Sequence, residues 1–279
     1  MSDLHAYLTD LKLTTPDELS LAFVGQLQAA HIAKYSFNSL AVLLGEEVSL
    51  DLTNVYEKIV LHGLGGYCFE HNKLAFELLK SLGYSVRLVM ARVLNGQEVD
   101  RPRTHRVTLV NIDGKRYLLD VGFGADCPIA PLLLQSDLEQ KIGHDNYRIV
   151  LRDGEYDLQI QRSDNFYTLY RFDLAEYTDA DCMMGNFFSS KYPKAVFVNN
   201  LVASIKDVNQ TSGIRNHVFF TRQHGIEQEN LIDSAPALHS LLAEVFHVHV
   251  EMVIAEHLFD RFIAPNLAEL SSPNTAQQS

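Results

Sequence analysis

A cysteine becomes a strong nucleophile once its thiol ionises, and Cys68 stands where ionisation is favoured. Gly65-Gly66-Tyr67 breaks the chain just ahead of it, and Leu74, Ala75, Leu78, Leu79 and Leu82 follow at helical spacing until Gly83 ends the run. The sulfur is therefore expected at a helix N-terminus, among unpaired amide donors and the positive end of the dipole. A free thiol of pKa ~8.5 is only a few per cent ionised at pH 7, so a nucleophilic cysteine also needs an imidazole. Asp113-Gly114 is a strong hairpin signal, and with those two as loop residues Asp120 faces Val107, so that His105, Val107 and Asp120 share one face. Diagonal neighbours on a sheet lie ~7 to 8 Å apart at the backbone. Asp120 can thus hold one nitrogen of His105 and leave the other for the thiol. Each piece alone has a plainer reading: a lone cysteine near a helix end is usually a small buried hydrophobe, and a His-Asp pair on a hairpin is usually structural.

The elements around these residues change character along the chain. Thr15-Pro16-Asp17-Glu18 matches a capping box and predicts a helix start, with Leu19, Ala22, Phe23, Gln26, Leu27 and Ala30 forming one stripe behind it. A further helix is expected from about Asp51 to Val60. From Tyr84 the pattern is β-rich, with runs at Tyr84 to Val93, Thr104 to Ile112, Lys115 to Val121, Asn146 to Arg152, Glu155 to Gln161 and Phe166 to Phe172, and a second Asp-Gly turn at Asp153-Gly154. The middle third reads as an antiparallel sheet or small barrel. Later come expected strands at Ala195 to Ser204 and Ile214 to Arg222, a helix from Ala235 to Phe246 opened by Asp233-Ser234 and Pro236, and a polar tail from Leu270.

Composition narrows the function. The 279 residues carry a net charge of −12, with 47% hydrophobic and 21% charged content, so a core is affordable and a phosphate-tracking surface for nucleic acid is disfavoured. No apolar run reaches the ~18 to 20 residues of a membrane span, and the N-terminus has no basic flank or h-region, so a cytoplasmic protein is expected. Three cysteines (Cys68, Cys127 and Cys182) suit a reducing compartment better than a disulfide framework. His62, Cys68 and His71, or His247 and His249 on a possible strand, do not show zinc spacing, and no metal is expected. Gly-rich phosphate loops and a G-x-S-x-G elbow are absent from the sequence.

Three blocks, Gly65-Gly66-Tyr67-Cys68-Phe69-Glu70-His71-Asn72, Thr104-His105-Arg106-Val107-Thr108-Leu109-Val110 and Tyr117-Leu118-Leu119-Asp120-Val121-Gly122-Phe123-Gly124, resemble the arylamine N-acetyltransferase family in order and spacing. Asn186, Ser190, Pro193 and Phe197 extend the resemblance over most of the chain. It implies an α+β fold with a cysteine-protease-like Cys-His-Asp arrangement: an N-terminal helical bundle over residues 1–84 carrying Cys68, a central antiparallel β-barrel over 85–190 carrying His105 and Asp120, and a C-terminal α/β lid over 191–279 with a frayed tail. Cys68, His105 and Asp120 would be the catalytic triad. The implied reaction is ping-pong transfer from acetyl-CoA, a co-substrate rather than a tightly bound cofactor, to an arylamine, arylhydroxylamine or hydrazine. Phe37, Phe123 and Gly124 would line the acceptor pocket, and the Cys68 amide would help hold the oxyanion.

The chain departs from the family where Leu64 replaces an arginine and Ser36-Phe37-Asn38-Ser39-Leu40 replaces Pro-Phe-Glu-Asn-Leu. Losing the Arg and the Glu together avoids stranding one buried charge, so an altered but intact support under Cys68 is expected. Between Arg87 and Arg116 the cations Arg92, Arg101, Arg103, Arg106 and Lys115 outnumber Glu98, Asp100 and Asp113, which suggests Arg101 and Arg103 as contacts for CoA phosphates. The same stretch reads equally well as a solvated hairpin edge. Three rivals remain: a thiol hydrolase or amidase, an amide synthase using another acyl donor, and a catalytically silent binding protein of the same fold.

Overall fold

The computed structural model describes residues 2–271. Helices α1 (Ser2–Asp10) and α2 (Leu21–Lys34) are followed by a two-residue strand β1 (Phe37–Asn38), short helices α3 (Leu40–Leu43) and α4 (Leu52–Tyr56), a π-helical turn Glu57–Leu61, and α5 (Cys68–Ser81). Leu4, Tyr7 and Leu8 of α1, Phe23, Val24 and Leu27 of α2, and Leu74, Ala75, Leu78 and Leu79 of α5 enter one buried core. The Asp51 carboxylate caps α4 by accepting from the Thr53 amide at 2.9 Å, in keeping with the expected helix there. The expected start at Thr15 is not the one used. Ser20 caps α2 instead, its hydroxyl accepting from the Phe23 amide, because the Tyr84 hydroxyl bonds both the amide and the carbonyl of Ser20 at 3.0 and 3.2 Å. A tertiary contact has chosen between two competent caps.

Strands β2 (Ser85–Val93), β3 (His105–Ile112), β4 (Lys115–Leu119), β5 (Leu132–Leu133), β6 (Glu139–Ile142), β7 (Asp145–Arg152), β8 (Glu155–Arg162) and β9 (Asn165–Phe172) form an antiparallel sheet in the order β5-β4-β3-β2-β9-β8-β7-β6. Both Asp-Gly loops have positive φ at both residues (50° and 72° for Asp113-Gly114, 52° and 85° for Asp153-Gly154), the conformation that matches strand twist in two-residue hairpins. Thr108 accordingly pairs with Leu119, the register the sequence predicts. The sheet curls around Val89, Val107, Leu109, Leu118, Ile149 and Leu158 until its edges nearly meet. There the Gln140 side chain, not a strand ladder, joins them by bonding both the amide and the carbonyl of Leu133.

Helices α6 (Asp179–Lys191) and α7 (Val196–Asn199) lead to strands β10 (Val202–Lys206), β11 (Gln210–Arg215), β12 (Val218–Gln223) and β13 (Ile226–Leu231), then to α8 (Ala235–Glu244), α9 (Met252–Leu258), a π-helical turn Phe259–Ile263 and α10 (Ala264–Ser271). The second sheet runs β1-β10-β11-β12-β13, so a strand from the N-terminal part joins the C-terminal sheet. Two expected strands change here. Residues 196–199 make a helical turn because the Asn199 and Asn200 amides bond the Ala195 and Val196 carbonyls, and the strand begins only at Val202. The run Ile214 to Arg222 divides into β11 and β12 at Asn216, whose φ of 53° turns the chain while its side-chain Oδ1 accepts from the Leu201 amide. The stretch holding His247 and His249 is not a strand, and His247 has a φ of 58°. Of the expected polar tail, Leu270 and Ser271 close α10 and residues 272–279 lie outside the described residues. Among the described residues no helix is long and apolar enough to cross a membrane.

The helical core is not wholly apolar. Tyr7, His31 and His71 are fully buried, with the Tyr7 hydroxyl on His31 Nδ1 at 2.5 Å and His31 Nε2 on His71 Nδ1 at 2.7 Å. Burial pushes both imidazoles down, His71 from the ordinary 6.5 to about 4. The native state thus holds them neutral while the unfolded chain takes up protons below pH 6.5. Stability should therefore fall as pH drops from 6.5 towards 4, by up to ~1.4 kcal/mol per pH unit for each histidine. Urea midpoints taken across this range check the slope, and a His71→Asn chain should show a shallower one.

Candidate active site

Cys68 is the first residue of α5, and the glycines before it let the chain reach that position. An added Cβ on Gly65 would lie 2.1 Å from the Ser36 carbonyl oxygen, and Gly65 has a φ of 64°, so the loop excludes a side chain there on two grounds. Glu70 reaches back to accept from the Tyr67 amide at 3.0 Å, and Lys58 neutralises it at 2.6 Å. The Cys68 thiol donates to the Thr104 carbonyl at 3.5 Å, and its sulfur takes the backbone N–H of Arg106. It therefore sits over the residues on either side of His105.

The hairpin delivers the other two groups as its register requires. His105 Nε2 meets Asp120 Oδ2 at 2.7 Å, with both side chains buried, which leaves Nδ1 for a thiol. Asp120 is held by more than His105. Asn72 Nδ2 and the Gly122 amide bond Oδ1 at 2.9 Å each, and the Tyr170 hydroxyl bonds Oδ2 at 3.0 Å. Burial opposes the carboxylate, but the charge of His105 and these hydrogen bonds hold its carboxyl below the ordinary range. Burial and the Asp120 charge push the Cys68 thiol well up, against the backbone N–H groups of Arg106 and Phe69. A thiolate here would need a compensating cation, since burial of an uncompensated anion is costly.

Asn72 and Tyr170 were not singled out in the sequence. Asn72 lies one helical turn beyond Cys68, and its side-chain oxygen also accepts from the Val121 amide at 3.1 Å, which fixes the amide orientation. That i, i+4 spacing is a usable local signal. Tyr170 has none, because it arrives from β9 through the curl of the sheet. Gly122 permits the close approach: an added Cβ would stand 2.9 Å from the Cys68 Cα.

Phe123 packs edge-on to His105 and Tyr170, with ring centroids 5.0 and 4.9 Å apart. Phe37 shares a buried cluster with Cys68, and Gly124 lies so near that an added Cβ would be 3.3 Å from the Phe37 ring. Phe197, from the turn that was expected to be a strand, closes against Phe37 and Tyr67 at 5.8 and 5.5 Å. Arg101 and Arg103 make their side-chain bonds elsewhere. Arg101 bonds Gln97 at 2.6 Å, while Arg103 bonds the Met90 carbonyl, Glu155 and Asp173 and lies over the Tyr177 ring. His71 is engaged with His31 and the Ser36 carbonyl, and among the described residues no three His, Cys, Asp or Glu side chains are grouped to hold a metal.

Positions 38 and 64 do meet. Asn38 Nδ2 bonds the Leu64 carbonyl at 3.0 Å while its Oδ1 accepts from the Leu40 amide at 3.1 Å, a neutral staple at a buried position. Asn38→Glu alone should cost ~3 to 5 kcal/mol, the scale of a buried charge without a partner, and adding Leu64→Arg should recover much of it. Urea midpoints of the two single variants and the double variant measure the coupling.

Residues 20–255 match a family model described as N-acetyltransferase. The arylamine N-acetyltransferase / N-hydroxyarylamine O-acetyltransferase of Salmonella typhimurium is 34% identical over 258 residues, covering 90% of this chain and 91% of that protein. Among solved structures, arylamine N-acetyltransferase from Salmonella typhimurium superposes with a TM-score of 0.88 at 30% identity, over 94% of this chain and 99% of that one. Mycobacterium marinum arylamine N-acetyltransferase in complex with CoA gives a TM-score of 0.88 at 29% identity, over 93% and 99%. With the family model, relatives at this identity and coverage, and the fold in agreement, the chain belongs to the arylamine N-acetyltransferase family.

Proposed function

We propose that this protein transfers an acetyl group from acetyl-CoA to an arylamine, arylhydroxylamine or hydrazine, through an acetyl thioester on Cys68. The observation that carries the reading is the 2.7 Å bond from His105 to a buried Asp120, beside a cysteine sulfur lodged between Thr104 and Arg106. His105 Nδ1 takes the thiol proton, and the sulfur attacks the acetyl carbonyl while the Cys68 amide faces the oxyanion. The bond from acetyl carbon to CoA sulfur breaks, and CoA leaves as the thiol with the proton from His105. The acceptor nitrogen then attacks the Cys68 thioester, its proton passes to His105, and the amide departs as the Cys68 sulfur is released. An aromatic amine is weakly basic, so it is neutral and nucleophilic at pH 7.

Phe37, Phe123 and Gly124 are assigned to the acceptor wall, joined by Phe197. Acetyl-CoA is assigned to a cavity of about 500 Å³ bounded by Pro102, Arg103, Tyr177, Gly185 and Phe188, directly before the Thr104-His105 strand start. Arg103 is already neutralised by Glu155 and Asp173, so Arg101 carries more of the expected phosphate contact. Arg101→Ala should raise the acetyl-CoA KM several-fold and flatten its salt dependence, whereas Arg103→Ala should mainly lower stability. Unchanged KM and salt response in both would remove the phosphate assignment. Free Cys68, Cys127 and Cys182 suit the reducing cytoplasm, and clearance of foreign aromatic amines is the physiological role this chemistry supports.

Incubation with acetyl-CoA and no acceptor tests the reading. One equivalent of CoA thiol should appear, with one acetyl added to Cys68 and discharged by an added arylamine or hydrazine. A hydrolase would release CoA continuously without a stable adduct, and a silent binding protein would release none. Competition between acetyl-CoA and propionyl-CoA distinguishes a synthase for longer acyl groups.

A further inference from the structure

Three fully buried polar side chains from three helices form one line that ends under the cysteine loop. Ser36 contributes only its carbonyl oxygen to that end, at 3.2 Å from His71 Nε2, and a carbonyl can only accept. His71 Nε2 must therefore carry the hydrogen, and its Nδ1 presents a lone pair. His31 Nε2 then donates to His71 Nδ1 at 2.7 Å, which makes His31 Nδ1 an acceptor, and the Tyr7 hydroxyl donates to it at 2.5 Å. Every hydrogen in the line has one allowed direction, from Tyr7 on α1 through His31 on α2 and His71 on α5 to the Ser36 carbonyl. Both rings are held neutral by burial, so the order persists at neutral pH.

The carbonyl at the end is a junction. Ser36 O also accepts from the Gly66 amide at 3.2 Å and from Asn38 Nδ2 at 3.4 Å, while Asn38 N bonds the Gly66 carbonyl at 2.6 Å. These bonds tie the β1 segment to Gly66, two residues before Cys68. Phe37 in the same segment lies over the His71 ring, with centroids 6.4 Å apart and planes at 22°. His71 thus touches the supports of both the nucleophile and the aromatic wall beside it, without touching the sulfur.

We propose that His71 is a positioning residue for Cys68, acting through the Ser36 carbonyl and held in its Nε2–H tautomer by His31 and Tyr7. The proposal rests on Cys68 being the nucleophile paired with His105. Removing the donor frees the Gly66 loop to shift, and the sulfur then sits less well against His105, so its proton is lost at higher pH. The charged groups felt at this ring are Lys58 and Asp120, and near the outer end the neutral Tyr35 hydroxyl donates to Asp10; none of them donates to Ser36 O.

Iodoacetamide alkylation of Cys68, measured against pH well below the melting temperature, tests this independently of acetyl transfer. His71→Leu should slow alkylation at pH 7 by about tenfold and move its midpoint to higher pH, and His71→Asn, which keeps an amide donor, should restore most of the rate. A folded His71→Leu enzyme that alkylates like the wild type would show a purely structural role and overturn the proposal. The ¹⁵N resonances of the wild-type histidines decide it even if that variant does not fold: His71 is expected protonated at Nε2 and bare at Nδ1, and the opposite tautomer overturns the proposal. Absence of acetyl transfer by wild-type enzyme that still alkylates normally would count against the proposed function while leaving this positioning test intact.

Discussion

Asp120→Asn is expected to lower acetyl transfer by ~10³- to 10⁴-fold while leaving the fold in place, the scale seen when a triad histidine is set in the wrong tautomer. The carboxylate accepts four donors: His105 and Tyr170 on one oxygen, Asn72 and Gly122 on the other. An amide of the same shape has one oxygen and one NH₂, so either orientation turns its hydrogens on two donors. If the NH₂ faces His105, the ring adapts by accepting at Nε2, and its hydrogen moves to Nδ1. No lone pair is then left to take the thiol proton. If it faces Asn72 and Gly122, the latter keeps its hydrogen and loses its acceptor, and the loop after Asp120 loosens. Initial rates with saturating acetyl-CoA and arylamine, alongside circular dichroism, measure the effect. A fully folded variant within tenfold of wild-type turnover would mean that Asp120 does not set the state of His105.

His105→Gln tests the other half of the His105–Asp120 pair. Burial and the Asp120 charge raise the Cys68 thiol, so without an imidazolium the sulfur has little to offset its charge. Alkylation of Cys68 in the wild type should proceed at pH 7 and below, at least ~10² times faster than at Cys127 or Cys182, and in His105→Gln it should fall towards their rates and rise only in alkaline solution. Those two thiols are suitable internal references, because burial raises both, Cys182 to about 11. The direction follows from which species reacts: the thiolate is the nucleophile, so any change that moves the proton back to sulfur moves the reaction to higher pH. Equal alkylation of all three cysteines in the wild type would instead support the silent reading of the fold.

Much of the site was readable because its pieces are set by short-range geometry. A two-residue Asp-Gly loop fixes the pairing of β3 with β4, and that pairing alone brings His105 and Asp120 to one face. Glycines before an apolar stripe place Cys68 at the start of α5. Other parts depended on partners far along the chain. Thr15 and Ser20 are both sound caps, and only Tyr84 decides between them. Val196 to Val198 has strand chemistry, yet two asparagine amides satisfy a helical turn there. Arg103 looked like a free cation until the folded sheet brought Glu155 and Asp173 to it.

Cys68, His105 and Asp120 could be picked out from the sequence, along with the helix start and the hairpin that carry them, since bond geometry, glycine freedom and strand register act over a few residues. The tertiary structure alone decided how those groups are held: Tyr170 and Asn72 on Asp120, Lys58 behind Glu70, Asn38 across to Leu64, and the line from Tyr7 to Ser36. Buried polar atoms must find partners wherever the packed chain supplies them, and that condition is global: it can be met only after distant helices and strands have come together.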